Sequence, residues 1–174
     1  KVTVSVTAVN DPPIISDIAN QTIAEDSSTG AISFTVTDVD NDDGSLVVTA
    51  VTDNGTVIPK ANIVLGGSGS ARTVTITPLA NKNTWDADVS AHDPVTITLT
   101  VSDGSLTDSD SFTVTVTPVN DTPEPEDDTA TVAEDGSVNI NVLANDFDMD
   151  IANEGDDLTI QSVAGVDNGT VDIA

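Results

Sequence analysis

The residues best suited to chemistry are carboxylates that occur at alternate positions in two short segments. The segments are Asp38-Val39-Asp40-Asn41-Asp42-Asp43-Gly44 and Asn145-Asp146-Phe147-Asp148-Met149-Asp150. A hard cation such as Ca²⁺ takes about six to eight oxygen ligands from carboxylates, amides, backbone carbonyls and water. One such loop cannot fill that shell, and an isolated cluster is equally well explained as a polar turn. Because the arrangement occurs twice, the pattern favours a cation site.

A repeated Asn-Asp pair precedes both acidic clusters. Val9-Asn10-Asp11-Pro12-Pro13 and Val119-Asn120-Asp121-Thr122-Pro123 are offset by 110 residues. Glu134-Asp135 likewise matches Glu25-Asp26, and Asp146 and Asp148 match Asp38 and Asp40 at an offset of 108. The offset predicts tandem domains of about 110 residues. We expect residues 1–10 to be the last strand of a preceding repeat, residues 11–121 a complete repeat, and residues 122–174 the first half of the next.

Hydrophobic alternation predicts the elements that must position these carboxylates. Residues 2–8 and 112–117 alternate Val or Phe with Thr or Ser, which is the period of a half-buried strand. Similar patterns predict a first strand broken near Asp17 and further strands, among them 32–36, 46–51 and 95–101, while Asp53-Asn54-Gly55 is a hairpin signal. The sequence therefore predicts an all-β fold, an Ig- or cadherin-like antiparallel β-sandwich in tandem repeats. Aromatic residues make up 2%, so the core must consist of Val, Ile and Leu.

The charge excludes several classes of partner. The net charge is −26 with four basic residues, whereas binding to nucleic acid or an anionic membrane surface requires clustered Lys and Arg. The sequence contains no apolar stretch of about 18 residues, which is the length needed to span a membrane. The acidity itself has two explanations, a surface suited to a saline environment or divalent cation sites. Most of the 30 acidic residues are Asp rather than Glu, and short Asp side chains in turns favour cation sites.

Two rival chemistries fit the sequence poorly. Asp146, Asp148 and Asp150 match the first three ligand positions of an EF-hand, but Ile151 stands where that motif requires Gly and strands flank the loop. A catalytic role would have to rely on the single His, His92, without Cys, Tyr or a nucleophile motif. We therefore predict that the protein is not an enzyme.

The succession Ala24-Glu25-Asp26, Asp38-Val39-Asp40, Val101-Ser102-Asp103-Gly104 and Val119-Asn120-Asp121 resembles the cadherin repeat. It is most similar to the bacterial cadherin-like tandem repeats of large RTX-type surface adhesins. The resemblance implies Ca²⁺ between successive repeats, with ligands at Asn10, Asp11, Glu25, Asp38, Asp40, Asp103, Asn120, Asp121, Glu134, Asp146 and Asp148. It groups Asn10, Asp11, Asp38, Asp40 and Asp103 at one junction, and Glu25, Asn120, Asp121, Asp146 and Asp148 at the next. The family's Asp-Arg-Glu triplet has no clear match, which implies fewer ions per junction than in animal cadherins.

The expected function follows from the resemblance and the repeat pattern together. We expect an extracellular, cell-surface segment whose Ca²⁺-rigidified repeats form the stalk of an adhesin or fibre, with neighbouring repeats of the same protein as partners. Two alternatives stay open. One is an adhesive module that binds a glycan, ice or a protein, which a flat array of Thr side chains would favour. The other is a subunit of a filament in which other copies of the chain exchange strands to complete the half repeat.

Overall fold

The computed structural model describes residues 1–86, 91–151, 156–164, 170, 171 and 173. The chain divides into two compact units. Unit 1 contains the described residues up to Val119, and unit 2 contains those from Asn120 onward. Each unit is considered by itself below.

Short strands, several of them with alternating burial, are the main secondary structure of unit 1. They are β1 (Ile14–Ile15), β2 (Gln21–Ala24), β3 (Ile32–Thr37), β4 (Val47–Thr52), β5 (Ile63–Ser68), β6 (Ala71–Ile76), β7 (Trp85–Asp86), β8 (Ala91–His92), β9 (Val95–Ser102) and β10 (Thr107–Thr117). Single turns of 3-10 helix lie at Asp43–Ser45 and Lys60–Asn62. This content confirms the prediction of an all-β fold.

Two four-stranded sheets form the sandwich. One sheet has the order β1-β3-β6-β5 and the other has the order β2-β10-β9-β4, while β7 and β8 form a small ribbon. All described strand pairs are antiparallel except β2 and β10, which run parallel with Gln21 opposite Val114 and Ala24 opposite Thr117. This strand order is that of an Ig-like sandwich, as predicted.

The chain changes sheets between β1 and β2, at the predicted break near Asp17. Two carboxylates on β10 hold this crossing: Asp108 Oδ2 accepts the backbone N–H of Ile15 at 3.0 Å, and Asp110 Oδ2 accepts that of Ile18 at 2.9 Å. These bonds satisfy backbone donors where no strand partner is available. The broken first strand is therefore one edge element shared between two sheets.

The core lies between the sheets and is almost entirely aliphatic. β9 buries every second residue, Val95, Ile97, Leu99 and Val101, because successive side chains of a strand point to opposite faces. β10 and the facing sheet add Phe112, Val114, Val116, Phe34, Val36, Val74 and Ile76. Burial of each such side chain is worth about 1.5–3 kcal/mol. The prediction of a core built on Val, Ile and Leu is confirmed, with two Phe residues added.

Residues 2–8 form no strand, although their sequence alternates as predicted. Val2, Val4 and Val6 are 91%, 80% and 89% exposed. The matching residues 112–117 pair with β9 and β2. Residues 2–8 have no such strand partner among the described residues, and a lone strand is not stable in water.

The Asp53-Asn54-Gly55 turn is not a hairpin, so this prediction is wrong. β4 pairs with β9 and β5 pairs with β6, which places the two consecutive strands in different sheets. Asn54 instead caps a helical turn: its Oδ1 accepts the N–H of Thr56 at 3.1 Å, and its backbone oxygen accepts the N–H of Ile58 at 3.0 Å. Val57 and Ile58 are buried in the core. Their burial carries the chain across to the other sheet.

Unit 2 contains little regular structure among its described residues. An isolated antiparallel bridge joins Glu124 and Phe147, and a turn closes with the N–H of Gly136 donating to Ala133 at 2.9 Å. Asp135 in this turn has φ 61°, and its repeat counterpart Asp26 has φ 58°. The predicted strands of a half repeat are absent from these described residues. The repeat boundaries at 10 and 121 stay a prediction.

No helix in the described part of the chain has the length and apolar character to cross a membrane.

Candidate functional site

The β3–β4 loop of unit 1 is shaped by its own carboxylates. Asp38 Oδ1 accepts the N–H groups of Asp40 and Asn41 at 2.8 and 3.0 Å. Asp42 Oδ1 accepts the N–H of Gly44 at 2.8 Å, and Asp43 Oδ1 reaches back to the N–H of Asp38 at 3.1 Å. Short Asp side chains can bond to backbone a few residues away, which is why this residue type fixes a tight loop.

The linker, which is the segment of residues 9–13 before the sandwich, is joined to this end of unit 1 by two hydrogen bonds. The N–H of Asp11 donates to Asp40 Oδ2 at 2.8 Å, and Asn10 Nδ2 donates to Asp103 Oδ2 at 2.7 Å. Asp103 belongs to the turn between β9 and β10. The structure thus joins the linker to the β3–β4 loop and to the β9–β10 turn. Both belong to the first predicted junction.

One oxygen in this group is left without a hydrogen-bond partner. Asp38 Oδ2 is buried from solvent and accepts no hydrogen bond. A buried polar atom without a partner destabilises the fold by about 1–3 kcal/mol, and more if it is charged. A cation ligated by Asp38 would remove this cost, so the donor set fits a hard metal ion.

Asp103 is held in its ionised form by three donors. Its Oδ1 accepts the backbone N–H of Leu106 at 2.7 Å and that of Ser105 at 2.6 Å, and its Oδ2 accepts the Asn10 amide. The Leu106 N–H, the Asn10 amide and the Ser105 N–H, in that order, lower the pKa of Asp103 from its ordinary value of 3.8. A carboxylate that stays charged in mildly acidic solution is suited to bind a cation.

Replacing Asn10 by alanine is expected to raise the pKa of Asp103 toward 3.8, because the ionised form loses one donor. Since the folded pKa is depressed, the contribution of Asp103 to stability is present above 3.8 and is lost as pH falls through the lowered folded value. The measurement is an NMR titration of the Asp103 side-chain carbon. Asn62→Ala serves as the matched control, and an equal titration curve in Asn10→Ala and the wild type would contradict the assignment.

Glu25 lies at the end of β2 and is 4% exposed. Its Oε1 accepts the N–H of Val119 at 2.7 Å, and its Oε2 accepts Asn83 Nδ2 at 3.4 Å. Both bonds are within unit 1, and the first one fixes the chain where it leaves β10. The neighbouring Asp26 accepts the N–H of Asn81 at 2.9 Å. The grouping of Glu25 with the ligands of unit 2 stays a prediction.

Unit 2 repeats the linker-to-loop bonds of unit 1. The N–H of Asp121 donates to Asp150 Oδ2 at 2.5 Å, and the N–H of Asp150 donates to Asp148 Oδ1 at 2.9 Å. The corresponding bonds in unit 1 join Asp11 to Asp40 and Asp40 to Asp38. Asn120 Nδ2 also donates to the backbone oxygen of Asp121 at 2.7 Å, as Asn10 Nδ2 does to that of Asp11 at 3.2 Å. The two sites share one architecture.

These bonds correct the alignment of the second acidic cluster by two residues. Asp148 and Asp150, offset by 110, are the counterparts of Asp38 and Asp40, whereas the sequence alignment at 108 matched Asp146 and Asp148. Asp146 Oδ1 instead accepts the N–H of Glu126 at 2.9 Å. In sequence, three alternating Asp residues admit either alignment. The spacing of 29 residues from the linker Asp, the same in both repeats, is the signal that could have decided between them.

Among the described residues, Asp148, Asp150 and Asp156 form the one group of at least three side chains whose geometry could hold a metal ion. Each offers an oxygen within 4.8 Å of the others. Asp148 and Asp150 are only 6% and 4% exposed. Asp150 and Asp156 are not among the ligands predicted from the sequence. Asp156 follows residues 152–155, which lie outside the described part of the chain.

The other predicted ligands of unit 2 lie around this group in different ways. Asn120 and Asp146 line the same cavity of about 340 Å³ as Asp148 and Asp156. Glu134 is exposed beside the turn at Asp135. The structure therefore brings together Asp121, Asp148, Asp150 and Asp156, and leaves Glu134 outside the group of three.

Comparison with known families places the sequence among β-sandwich modules. The family model described as bacterial Ig domain matches residues 10–117 and again residues 120–174. No curated protein matches the sequence.

Several solved structures resemble the chain, with low sequence identity. Titin domain M7 is 15% identical with a TM-score of 0.44, and the match covers 64% of this chain and 99% of that one. The titin M3 domain is 15% identical with a TM-score of 0.40, covering 60% of this chain and 95% of that one.

Proposed function

Because the chain belongs to the bacterial Ig domain family, whose members are typically non-enzymatic structural modules, we propose that its repeats are Ca²⁺-stiffened stalk modules of a cell-surface protein. The observation that carries this proposal is the group Asp148, Asp150 and Asp156 in unit 2. Two of its three carboxylates are almost fully buried.

Electrostatics supports a cation at this group. Like charges within about 5 Å repel strongly, and burial of an ionised carboxylate is unfavourable unless an opposite charge is near. Residues 120–174 hold half of the 30 acidic residues of the chain and contain no Lys, Arg or His. No cationic side chain of unit 2 can therefore compensate the group. A bound divalent cation supplies the missing charge.

The donor chemistry favours Ca²⁺ among common cations. The available ligands are carboxylates, with the side-chain amides of Asn10 and Asn120 near the linkers, and there is no Cys in the chain. Oxygen-only sets select hard cations. Ca²⁺ tolerates irregular shells of six to eight oxygens, roughly, while Mg²⁺ requires near-octahedral geometry. Loops fixed by their own backbone bonds fit the less demanding ion.

The expected mechanical effect follows from the linker bonds. In each unit the Asp of the linker, Asp11 or Asp121, already donates its N–H to the acidic loop that follows it. Without a cation, repulsion among the carboxylates opposes this contact. With the cation, the linker carboxylate and the loop carboxylates share one ligand shell, so the linker is fixed to the repeat that follows.

A stalk of such repeats explains the acidity and the repeat pattern together, and an extracellular location provides the Ca²⁺ that weak sites need.

A ligand-binding module is the second candidate. Hydroxyl side chains on the outer face of the β9–β10 pair support it, since Thr100 lies opposite Ser109 and Thr98 Oγ1 lies 2.8 Å from Ser111 Oγ. Strand propensity explains Thr at these positions equally well. The stalk role also accounts for the clustered carboxylates of unit 2 and for the linker bonds, which a ligand-binding role leaves unexplained.

Small-angle scattering with and without chelator tests the stalk proposal. We expect the largest particle dimension to be greater and better defined in Ca²⁺, because fixed linkers hold successive repeats apart. Adding Mg²⁺ at the same concentration should restore less of the effect. A scattering curve that does not change when Ca²⁺ is removed would show that the acidic loops do not control the linkers.

A further inference from the structure

Arg72, the single arginine of the chain, is bonded to the acidic loop of unit 1 and does not pair with a carboxylate in any described bond. It lies on β6 and is half-buried. Its Nη2 donates to the backbone oxygens of Asp43 at 2.9 Å and Leu46 at 3.2 Å, and its Nε donates to that of Gly69 at 2.8 Å. Asp43 and Leu46 are at the two ends of the 3-10 turn that closes the loop. Arg72 thus fixes both ends of that turn to the β5–β6 hairpin.

The hairpin itself is held in a tight shape that keeps Gly69 and Arg72 in place. Gly67 has φ +84°, and a Cβ there would lie 2.3 Å from the Ala71 oxygen and 2.7 Å from Arg72 Cα. Only glycine fits this bend. The anchor for the acidic loop is therefore a constrained hairpin and not a flexible side chain alone.

A chain of hydrogen bonds leads from Arg72 to the candidate ligands. Asp43, held by its backbone oxygen, accepts the N–H of Asp38 on its side chain at 3.1 Å. Asp38 in turn accepts the N–H of Asp40 at 2.8 Å, and Asp40 accepts that of Asp11 at 2.8 Å. The unpartnered Asp38 Oδ2 lies in the middle of this chain. Loss of the anchor would release the residues that orient it.

Because Arg72 bonds to carbonyl oxygens, the negative charges of the candidate ligands stay available to a cation. A guanidinium is always ionised and presents its donors in a rigid plane. Here the described donors go to carbonyl oxygens, so the carboxylates of Asp38 and Asp40 are not used as its partners. The positive charge still offsets part of the repulsion within the loop.

We propose that Arg72 is a positioning residue, which holds the β3–β4 loop in the shape that binds Ca²⁺ before the ion arrives. This inference rests on the proposed function for its effect on binding, but not for its effect on the loop. Preformed ligand geometry raises affinity because less ordering accompanies binding.

The test compares Arg72→Gln and Arg72→Lys with wild-type protein by NMR, using the full chain. In Ca²⁺-free buffer, amide hydrogen exchange at Asp40 and Asn41 measures the order of the loop. In a Ca²⁺ titration, the amides of Asp11 and Asp40 report on the site in unit 1, and those of Asp121 and Asp150 report on the site in unit 2. Lys60→Gln is the matched control, because it removes one exposed positive charge elsewhere in unit 1.

We expect Arg72→Gln to speed exchange of the Asp40 and Asn41 amides and to weaken Ca²⁺ at the unit 1 site by about tenfold. Arg72→Lys, which retains a charge and one carbonyl bond, should give exchange rates and a Ca²⁺ affinity between those of the wild type and Arg72→Gln. The Ca²⁺ affinity of the unit 2 site should not change. Unchanged loop exchange in a folded Arg72→Gln protein would overturn the inference, as would equal weakening at both sites. If wild-type protein binds no Ca²⁺, the proposed function fails, while the exchange data still decide whether Arg72 positions the loop.

Discussion

Asp150→Asn is expected to weaken Ca²⁺ binding at the unit 2 group by about a hundredfold or more, which is about 2.7 kcal/mol. The side chain is 4% exposed, contributes one of the three clustered oxygens, and accepts the N–H of Asp121. Asparagine keeps an oxygen for that hydrogen bond but loses the negative charge. Calorimetric titration with Ca²⁺ measures the effect.

The same substitution should act in the opposite direction when Ca²⁺ is absent. Removing one of three repelling carboxylates stabilises the Ca²⁺-free form or leaves it unchanged, so the gain in Tm on adding Ca²⁺ should shrink. Asp128→Asn removes one exposed charge of unit 2 and is the matched control. Equal Ca²⁺ affinities for the two variants would mean that the buried group is not the binding site.

Phe112→Ala is expected to destabilise unit 1 by about 3–5 kcal/mol. Phe112 is 1% exposed, lies opposite Ile97 on β9, and is one of the largest side chains in a core of smaller aliphatic residues. The loss is a large share of the roughly 5–15 kcal/mol by which such domains are stable. Urea unfolding in Ca²⁺-containing buffer gives the free energy of unfolding.

Phe147→Ala is the matched control for this experiment, because Phe147 is 52% exposed. The same change of side chain there should alter the free energy of unfolding by no more than about 0.5 kcal/mol. Similar losses in the two variants would argue that packing between the two sheets does not dominate the stability of unit 1.

The sequence predicts the strands of unit 1 well because their signal is local. Val95 to Val101 and Phe112 to Val116 alternate without interruption, and one face of each strand is buried as the alternation requires. Residues 2–8 have the same alternation and form no strand, since a strand also needs a partner that local pattern cannot supply. The prediction of a hairpin at Asn54 is wrong for a related reason. Whether a turn forms a hairpin depends on which sheet the next strand joins, and the burial of Val57 and Ile58 directs that strand to the other sheet.

The candidate site is predictable in kind but not in detail. Alternating Asp residues and a repeated linker indicate oxygen ligands for a hard cation, and the structure joins Asp11 with Asp40 and Asn10 with Asp103 as the first grouping expects. The choice of Asp150 over Asp146 depends on where the N–H of Asp121 points, which is a property of the folded linker. The contribution of Asp156 depends on its approach to Asp148 and Asp150 in the folded unit. Neither property has a local pattern in the sequence.

The parallel pairing of β2 with β10 has a consequence for a chain that is pulled from both ends. β2 is near the entry of unit 1 and β10 ends at its exit, and because they run parallel, tension along the chain slides one strand against the other. The hydrogen bonds between residues 21–24 and 114–117 are then loaded in shear and must break together, whereas an antiparallel pair joined at its ends would unzip one bond at a time. The bonds from Asp108 and Asp110 to the crossing, and from Glu25 to Val119, reinforce both ends of this pair. Tension applied to the two ends of unit 1 is therefore resisted by this short parallel pair.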